Sequence, residues 1–176
     1  MGTDSGLWIE SVTDVPQLTV EQHELFIKAI FRASNGVIWF RSDQGILSYD
    51  GALWIKHGIY SGSYGATGLR AGILEDTNGT VWFHGYYSTQ TDPPLPTVSS
   101  FKDGKWEKYY VGTPGKTWTA DITQTSDGRI WAFGAGGIWS HVKGEDWVSE
   151  ATTPESTRGF IESPESRYWI TFGGNI

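Results

Sequence analysis

Four tryptophans at near-regular spacing constrain this chain more than any other feature. Each follows a short polar turn and sits in an apolar run. The copies are Ser34-Asn35-Gly36-Val37-Ile38-Trp39-Phe40, Asp76-Thr77-Asn78-Gly79-Thr80-Val81-Trp82-Phe83, Ser126-Asp127-Gly128-Arg129-Ile130-Trp131-Ala132 and a worn Glu165-Ser166-Arg167-Tyr168-Trp169-Ile170. The intervals between the four Trp residues are 43, 49 and 38. Asn-Gly between apolar runs is a strong hairpin signal, because both residues tolerate the positive φ of a type I′ turn. Asn78-Gly79 is therefore expected to form one.

Repeats of this length that each carry several short strands build stacked blades rather than one continuous core. In each unit a strand a precedes the polar turn: Phe26 to Arg32, Leu69 to Glu75, Trp118 to Gln124 and Gly159 to Glu162. Strand b holds the marker Trp. Strand c follows at Gly45–Tyr49, Val98–Phe101 and Gly137–Val142, and strand d carries a second Trp at 54, 106 and 147. The expected fold is all-β, a β-propeller of four-stranded antiparallel blades with four repeats in one domain spanning 1–176. The blades fall at about 21–57, 65–110, 115–150 and 157–176 together with 6–20. In that last blade the N-terminal segments Gly6–Val12 and Asp14–Val20 supply strands c and d to the C-terminal a and b. Closure has two solutions: a four-bladed monomer, or an eight-bladed ring from two chains that lend each other their termini.

Composition narrows the function classes. A net charge of −7 lacks the basic footprint of a nucleic-acid binder. The absence of cysteine excludes disulfides and thiolate metal sites. No apolar run approaches the roughly 18–20 residues of a spanning helix, and Met1-Gly2-Thr3-Asp4-Ser5-Gly6 does not read as a secretory signal. A protein of the bacterial cytoplasm or periplasm, with no membrane partner, is expected. The Asp/Asn-Gly clusters lack calcium-loop spacing and read as turns. Neither a nucleophile elbow nor a phosphate loop is present.

The pattern Ile73 to Phe83 followed by Phe101-Lys102-Asp103-Gly104-Lys105-Trp106 resembles the two-component regulator propeller repeat. So does Gly36 to Phe40 with Gly45 to Gly51. The resemblance covers essentially the whole chain and implies a propeller; members are mostly ectodomains of bacterial sensors. A looser likeness is to the streptogramin lyase propellers, whose blades also carry Gly-x-x-Trp-Phe.

In a propeller the a–b and c–d turns share one rim, and here they are short. The b–c and d–a connections share the other and are long, notably 85–97 and 58–68. Long variable loops on a fixed scaffold carry binding residues. His84 ends strand b of the second unit, where the other units place Arg41, Phe133 and Thr171. Lys28, Arg70, Asp121 and Arg158 lie near the starts of strand a, and three cations there would favour an anionic group. Tyr64, Tyr86, Tyr87 and Trp118 could stack on a sugar or an aromatic ligand. His23, His57 and His84 share the rim without local metal spacing, so a divalent metal would need ligands converging from several blades.

The leading expectation is a ligand-recognition propeller that binds a small molecule or saccharide through Lys28, Arg41, Tyr64, Tyr86, Tyr87, Trp118 and Asp121, with no cofactor. The alternative is a hydrolase or lyase, for example on an ester or phosphotriester. His84 would then be base or metal ligand, and Arg70 or Arg158 would stabilise negative charge. A third reading is an interaction module, with the Pro-rich insertion as its contact. A homodimer by strand exchange of the termini and a four-bladed monomer are both open as assemblies.

Overall fold

The computed structural model describes residues 27–42, 45–57, 72–85, 97–113, 118–153 and 156–173. The chain divides into two compact units, Met1–Tyr60 and Ser61–Ile176, each taken by itself below. The described residues contain strands and turns but no helix, so none could form a membrane-spanning helix.

The first unit holds one blade, an antiparallel meander of β1 (Ile27–Arg32), β2 (Ile38–Ser42), β3 (Gly45–Tyr49) and β4 (Trp54–Lys56). Phe40 and Leu47 form its buried centre, with Ile27, Ile38, Tyr49 and Trp54 packed around them. The second unit begins with another meander, β5 (Ile73–Glu75), β6 (Val81–His84), β7 (Val98–Lys102) and β8 (Lys105–Tyr109). A third follows, made of β9 (Trp118–Gln124), β10 (Ile130–Ala135), β11 (Gly137–His141) and β12 (Val148–Ala151). The chain then forms a two-stranded sheet of β13 (Ser156–Glu162) and β14 (Tyr168–Gly173). These sheets are blades one to four. The N-terminal strands expected to complete blade four lie outside the described residues.

The marker tryptophans are the mortar between blades of the second unit. Trp82 meets the His141 ring at 5.5 Å and the Trp147 ring at 6.3 Å, both on blade three. Trp131 meets Phe160 and Tyr168 of blade four, each at 5.0 Å. Around Trp82, the residues Val98, Val111, Ile122, Ile130, Ala132 and Trp139 close the larger core. Each such indole removes roughly 200 Å² from water, so one residue per blade supplies much of a seam.

Of the second tryptophans, Trp54 and Trp106 lie in strand d as expected and Trp147 does not. Trp54 packs on Phe40 and Tyr49 of its own blade, and Trp106 on Phe83 and Phe101 of its own. Trp147 precedes β12 instead of lying in it. The turn from Val142 to Glu145, with Gly144 at φ +86°, uses up the residues that would have carried it into the ladder. Its ring stacks on His141 at 5.1 Å instead.

The a–b turn is also not type I′. Gly79 has φ +76°, but Asn78 is not in the left-handed region. The Asp76 carboxylate accepts the Asn78 and Thr80 amides at 2.8 and 2.9 Å, and the Gly79 amide bonds the Asp76 carbonyl at 2.9 Å. This side-chain grip holds a four-residue turn in which Gly79 alone is left-handed. The two-residue type I′ geometry occurs at Asp103-Gly104, with φ of +49° and +77°, between the paired Lys102 and Lys105.

Candidate functional site

Strand a is irregular at the same place in three blades. The ladder slips at Lys28 in β1, at Ala120 in β9 and at Arg158 in β13. A bulge there bends the strand start and re-aims the side chains beside it. Lys28 and Arg158 are themselves bulged residues and are exposed. The Arg158 side chain lies over Gly173, the position its guanidinium would dispute with any added Cβ. Blade three places a buried Ala120 in the bulge and the carboxylate of Asp121 beside it.

Asp121 and His84 are the two predicted residues that the structure brings together. His84 ends β6 and is 4% exposed. Its ring folds over Gly72, whose amide donates to Nε2 at 2.8 Å. An accepting Nε2 puts the proton of the neutral ring on Nδ1. A Cβ at Gly72 would sit 2.5 Å from Asp121 Oδ1, 2.9 Å from His84 Nε2 and 3.0 Å from His84 Cδ2. The carboxylate of blade three and the imidazole of blade two therefore close in on Gly72 so tightly that a side chain there would displace one of them. Asp121 Oδ1 also accepts the Ile122 amide at 2.9 Å, which fixes its orientation.

A clamp behind this point holds the two blades in register. Gly85, next after His84, donates its amide to Thr119 Oγ1 at 3.1 Å, and the Thr119 amide returns to the Gly85 carbonyl at 3.1 Å. The same hydroxyl lies 3.0 Å from the Gly85 carbonyl and 3.2 Å from that of Thr97. Thr119 is 4% exposed and Thr97 fully buried, so the clamp works out of water, where such bonds are strongest. Sequence reading named neither Gly72 nor Thr119. The signal available was a glycine directly opposite a strand-end histidine and a threonine at the start of the next blade.

The remaining candidates separate. Arg41 is 5% exposed in the first unit, and burial lowers its pKa to about 10, so it stays a cation at neutral pH. Among the described residues its Nε has no hydrogen-bond partner. His57, in the same unit, is held by Ser48 Oγ at 2.8 Å from Nε2 and stacks on Trp39 at 5.1 Å. Burial pushes its pKa down, which suits a packing role. Trp118 is placed by its backbone in β9. His23, Tyr64, Arg70, Tyr86 and Tyr87 lie outside the described residues, so the cationic trio and the His trio cannot be assembled from what is described. Among the described residues no group of three His, Asp or Glu is arranged to hold a metal.

This arrangement offers a fixed carboxylate acceptor beside a neutral imidazole whose Nε2 is already committed to a backbone amide. It is suited to receiving hydroxyl or amine hydrogens.

No protein-family model matches the chain, and no curated protein sequence matches it significantly. Solved structures do. Virginiamycin B lyase from Staphylococcus aureus is 18% identical, with a TM-score of 0.59, over 92% of this chain and 53% of that one. A gluconolactonase from Xanthomonas campestris is 13% identical, with a TM-score of 0.50, over 84% of this chain and 54% of that one. The extracellular domain of a one-component system protein from B. thetaiotaomicron is 17% identical, with a TM-score of 0.52, over 84% of this chain and 19% of that one. The streptogramin lyase and bacterial sensor resemblances read from the repeats are thus both met among known structures. At these identities the likeness establishes the fold, an all-β propeller. The chain spans about half the length of the first two.

Proposed function

We propose that this chain is a ligand-recognition propeller that binds a small hydroxyl-bearing molecule, such as a saccharide or a sugar acid, where blades two and three meet. Asp121 accepts the ligand's hydroxyl hydrogens, and His84 with the Gly72 backbone forms the floor. The observation that carries this reading is the approach of Asp121 Oδ1 and His84 Nε2, from neighbouring blades, to the same side of Gly72. The sensor and sugar-lactone propellers that share the fold support it by analogy alone.

The test is calorimetric titration of the parent chain, Gly72→Ala and Asp121→Asn with a panel of monosaccharides, disaccharides and aldonic acids. A lost charge-assisted hydrogen bond costs about 1.5–3 kcal/mol, so Asp121→Asn should weaken binding roughly ten- to a hundredfold. Gly72→Ala should weaken it at least as much, because an added Cβ would push Asp121 Oδ1 and His84 Nε2 out of place. Binding that is unchanged in both variants would refute the site.

One observation favours a second reading, a hydrolase or lyase: a carboxylate and an imidazole converging on one point form an acid–base pair. His84 Nε2 would have to release the Gly72 amide to accept a proton. Turnover of sugar lactones or model esters that is lost in His84→Gln while binding persists would establish it. A panel without turnover leaves recognition. A metal-assisted version would need ligands beyond the described His84 and Asp121, so no step is derived through a metal.

A further inference from the structure

Each seam inside the second unit is built from the same two parts. The first is an indole covered by the next blade: Trp82 at 4% exposure and Trp131 at 7%. The residue nine positions before the next blade's marker covers it, Ile122 over Trp82 and Phe160 over Trp131. The second is a polar clamp on the turn rim. Thr77 donates its amide to Gln124 Oε1 at 2.9 Å. Ser126 donates its amide and hydroxyl to Glu162 at 2.6 and 2.8 Å. In both, the turn of one blade gives hydrogens to the last residue of strand a in the next.

Blade four presents the first half of such a seam, and blade one the second half. Trp169 is 63% exposed, and Ile161, its direct cross-strand partner, is 65% exposed. Ile30, nine positions before Trp39, occupies the place of Ile122 and Phe160 and is 60% exposed. The clamp positions match in the same way but with reversed polarity. Where Thr77 and Ser126 offer an amide, blade four has Pro164, which has none, followed by an exposed Glu165. Where Gln124 and Glu162 accept, blade one has an exposed Arg32. A proline with a carboxylate on one side and a guanidinium on the other are complementary, and neither fits the internal pattern.

We infer that the open face of blade four is a docking surface for blade one of a second copy of this chain. Trp169 packs on the partner's Ile30, Glu165 pairs with the partner's Arg32, and twofold symmetry repeats the seam. The inference is independent of the ligand site.

Two experiments test it. The chain lacks cysteine, so the double variant Ile30→Cys/Trp169→Cys reports the contact directly under mild oxidation. A disulfide-linked dimer on a non-reducing gel is expected. A link within one chain, or no link, would overturn the proposal. Light scattering then follows the parent chain, of mass 19.5 kDa, from about 1 to 100 µM. Twice that mass is expected. Trp169→Glu should raise the dissociation constant about 100-fold. Arg32→Glu and Glu165→Lys should each weaken the dimer several-fold. Mixing those two single variants should restore it, because one seam then carries the reversed pair and the other the native one. A monomer at every concentration, as expected if further repeats of a longer chain cover this face, refutes the proposal. So does a dimer indifferent to Trp169→Glu, or a mixture no tighter than either variant alone.

Discussion

Replacing Asp76 by alanine tests whether the polar turn that opens each repeat is a packing device as well as a chain reversal. The Asp76 carboxylate is 8% exposed and makes three bonds. Oδ1 takes the Asn78 and Thr80 amides at 2.8 and 2.9 Å, and Oδ2 takes Trp82 Nε1 at 3.0 Å. Trp82 is 4% exposed inside a core shared by blades two and three, so its N–H has no water to turn to once the carboxylate is gone. A buried unsatisfied donor costs about 1–3 kcal/mol. Losing the side-chain grip on the turn adds about 1 kcal/mol, as loss of a helix cap does. The terms share one side chain and do not add fully, so a total near 3 kcal/mol is expected. Blade three supplies the control, because Thr125 Oγ1 holds Trp131 Nε1 at 2.9 Å from the equivalent position. Asp76→Thr should therefore recover most of the loss. Urea unfolding followed by far-ultraviolet dichroism and Trp emission measures both at constant m-value. A loss under about 1 kcal/mol in Asp76→Ala, or no advantage of threonine over alanine, would refute the argument.

Two further outcomes follow from the same turns and cores. Ser166 holds the position that Gly36, Gly79 and Gly128 fill elsewhere, at φ +57°. Left-handed backbone costs a non-glycine residue about 1–2 kcal/mol, partly offset by the freedom a glycine has when unfolded. Ser166→Gly should thus raise the melting temperature by about 2–3 °C, and Gly128→Ser should lower it; scanning calorimetry showing no change in either would contradict the strain. Burial pushes the pKa values of His57 and His141 below 6.5, although the charges of Glu107, Glu145 and Asp146 oppose the shift at His141. The unfolded chain then binds more protons in the window just below 6.5, so this contribution is complete above that pH and is lost as pH falls through the depressed folded values. Urea midpoints between about pH 7.5 and 5 should fall with acidity, and His141→Phe, which keeps a ring against Trp147, should flatten the slope. An unaltered slope would count against it.

The fold was legible because tryptophan spacing and turn chemistry are local properties, and blades are local objects. Strand c at Gly45–Tyr49 and strand a at Trp118–Gln124 stand where residue pattern put them. What failed was set by contacts between strands. Asn78-Gly79 satisfies the sequence rule for a type I′ hairpin, but the Asp76 carboxylate selects another turn. Trp147 is the second tryptophan expected in strand d, yet the Val142–Glu145 turn leaves it just ahead of β12, with its ring stacked on His141. The bulges at Lys28, Ala120 and Arg158 have no common residue type, so no composition rule reveals them.

The site shows why half of it was readable. The residue two after each marker Trp is Arg41, His84, Phe133 or Thr171, and its variability drew attention to His84. Its cross-strand neighbours are Ala29, Asp121 and Gly159 at the first, third and fourth of these positions. At the second, the pairing of Ile73 with Phe83 puts Gly72 opposite His84. A large strand-b residue over a small strand-a residue is one answer to crowding at this rung, met by Arg41 over Ala29 and His84 over Gly72. Phe133 reverses it, since its partner Asp121 is polar and sends its carboxylate against Gly72. Asp121 and His84 therefore meet between blades two and three because one blade supplies a glycine that lets them close in and the next supplies the charge. Neither residue announces this alone. The rung that joins them is defined only once the bulge at Ala120 has shifted the register of β9.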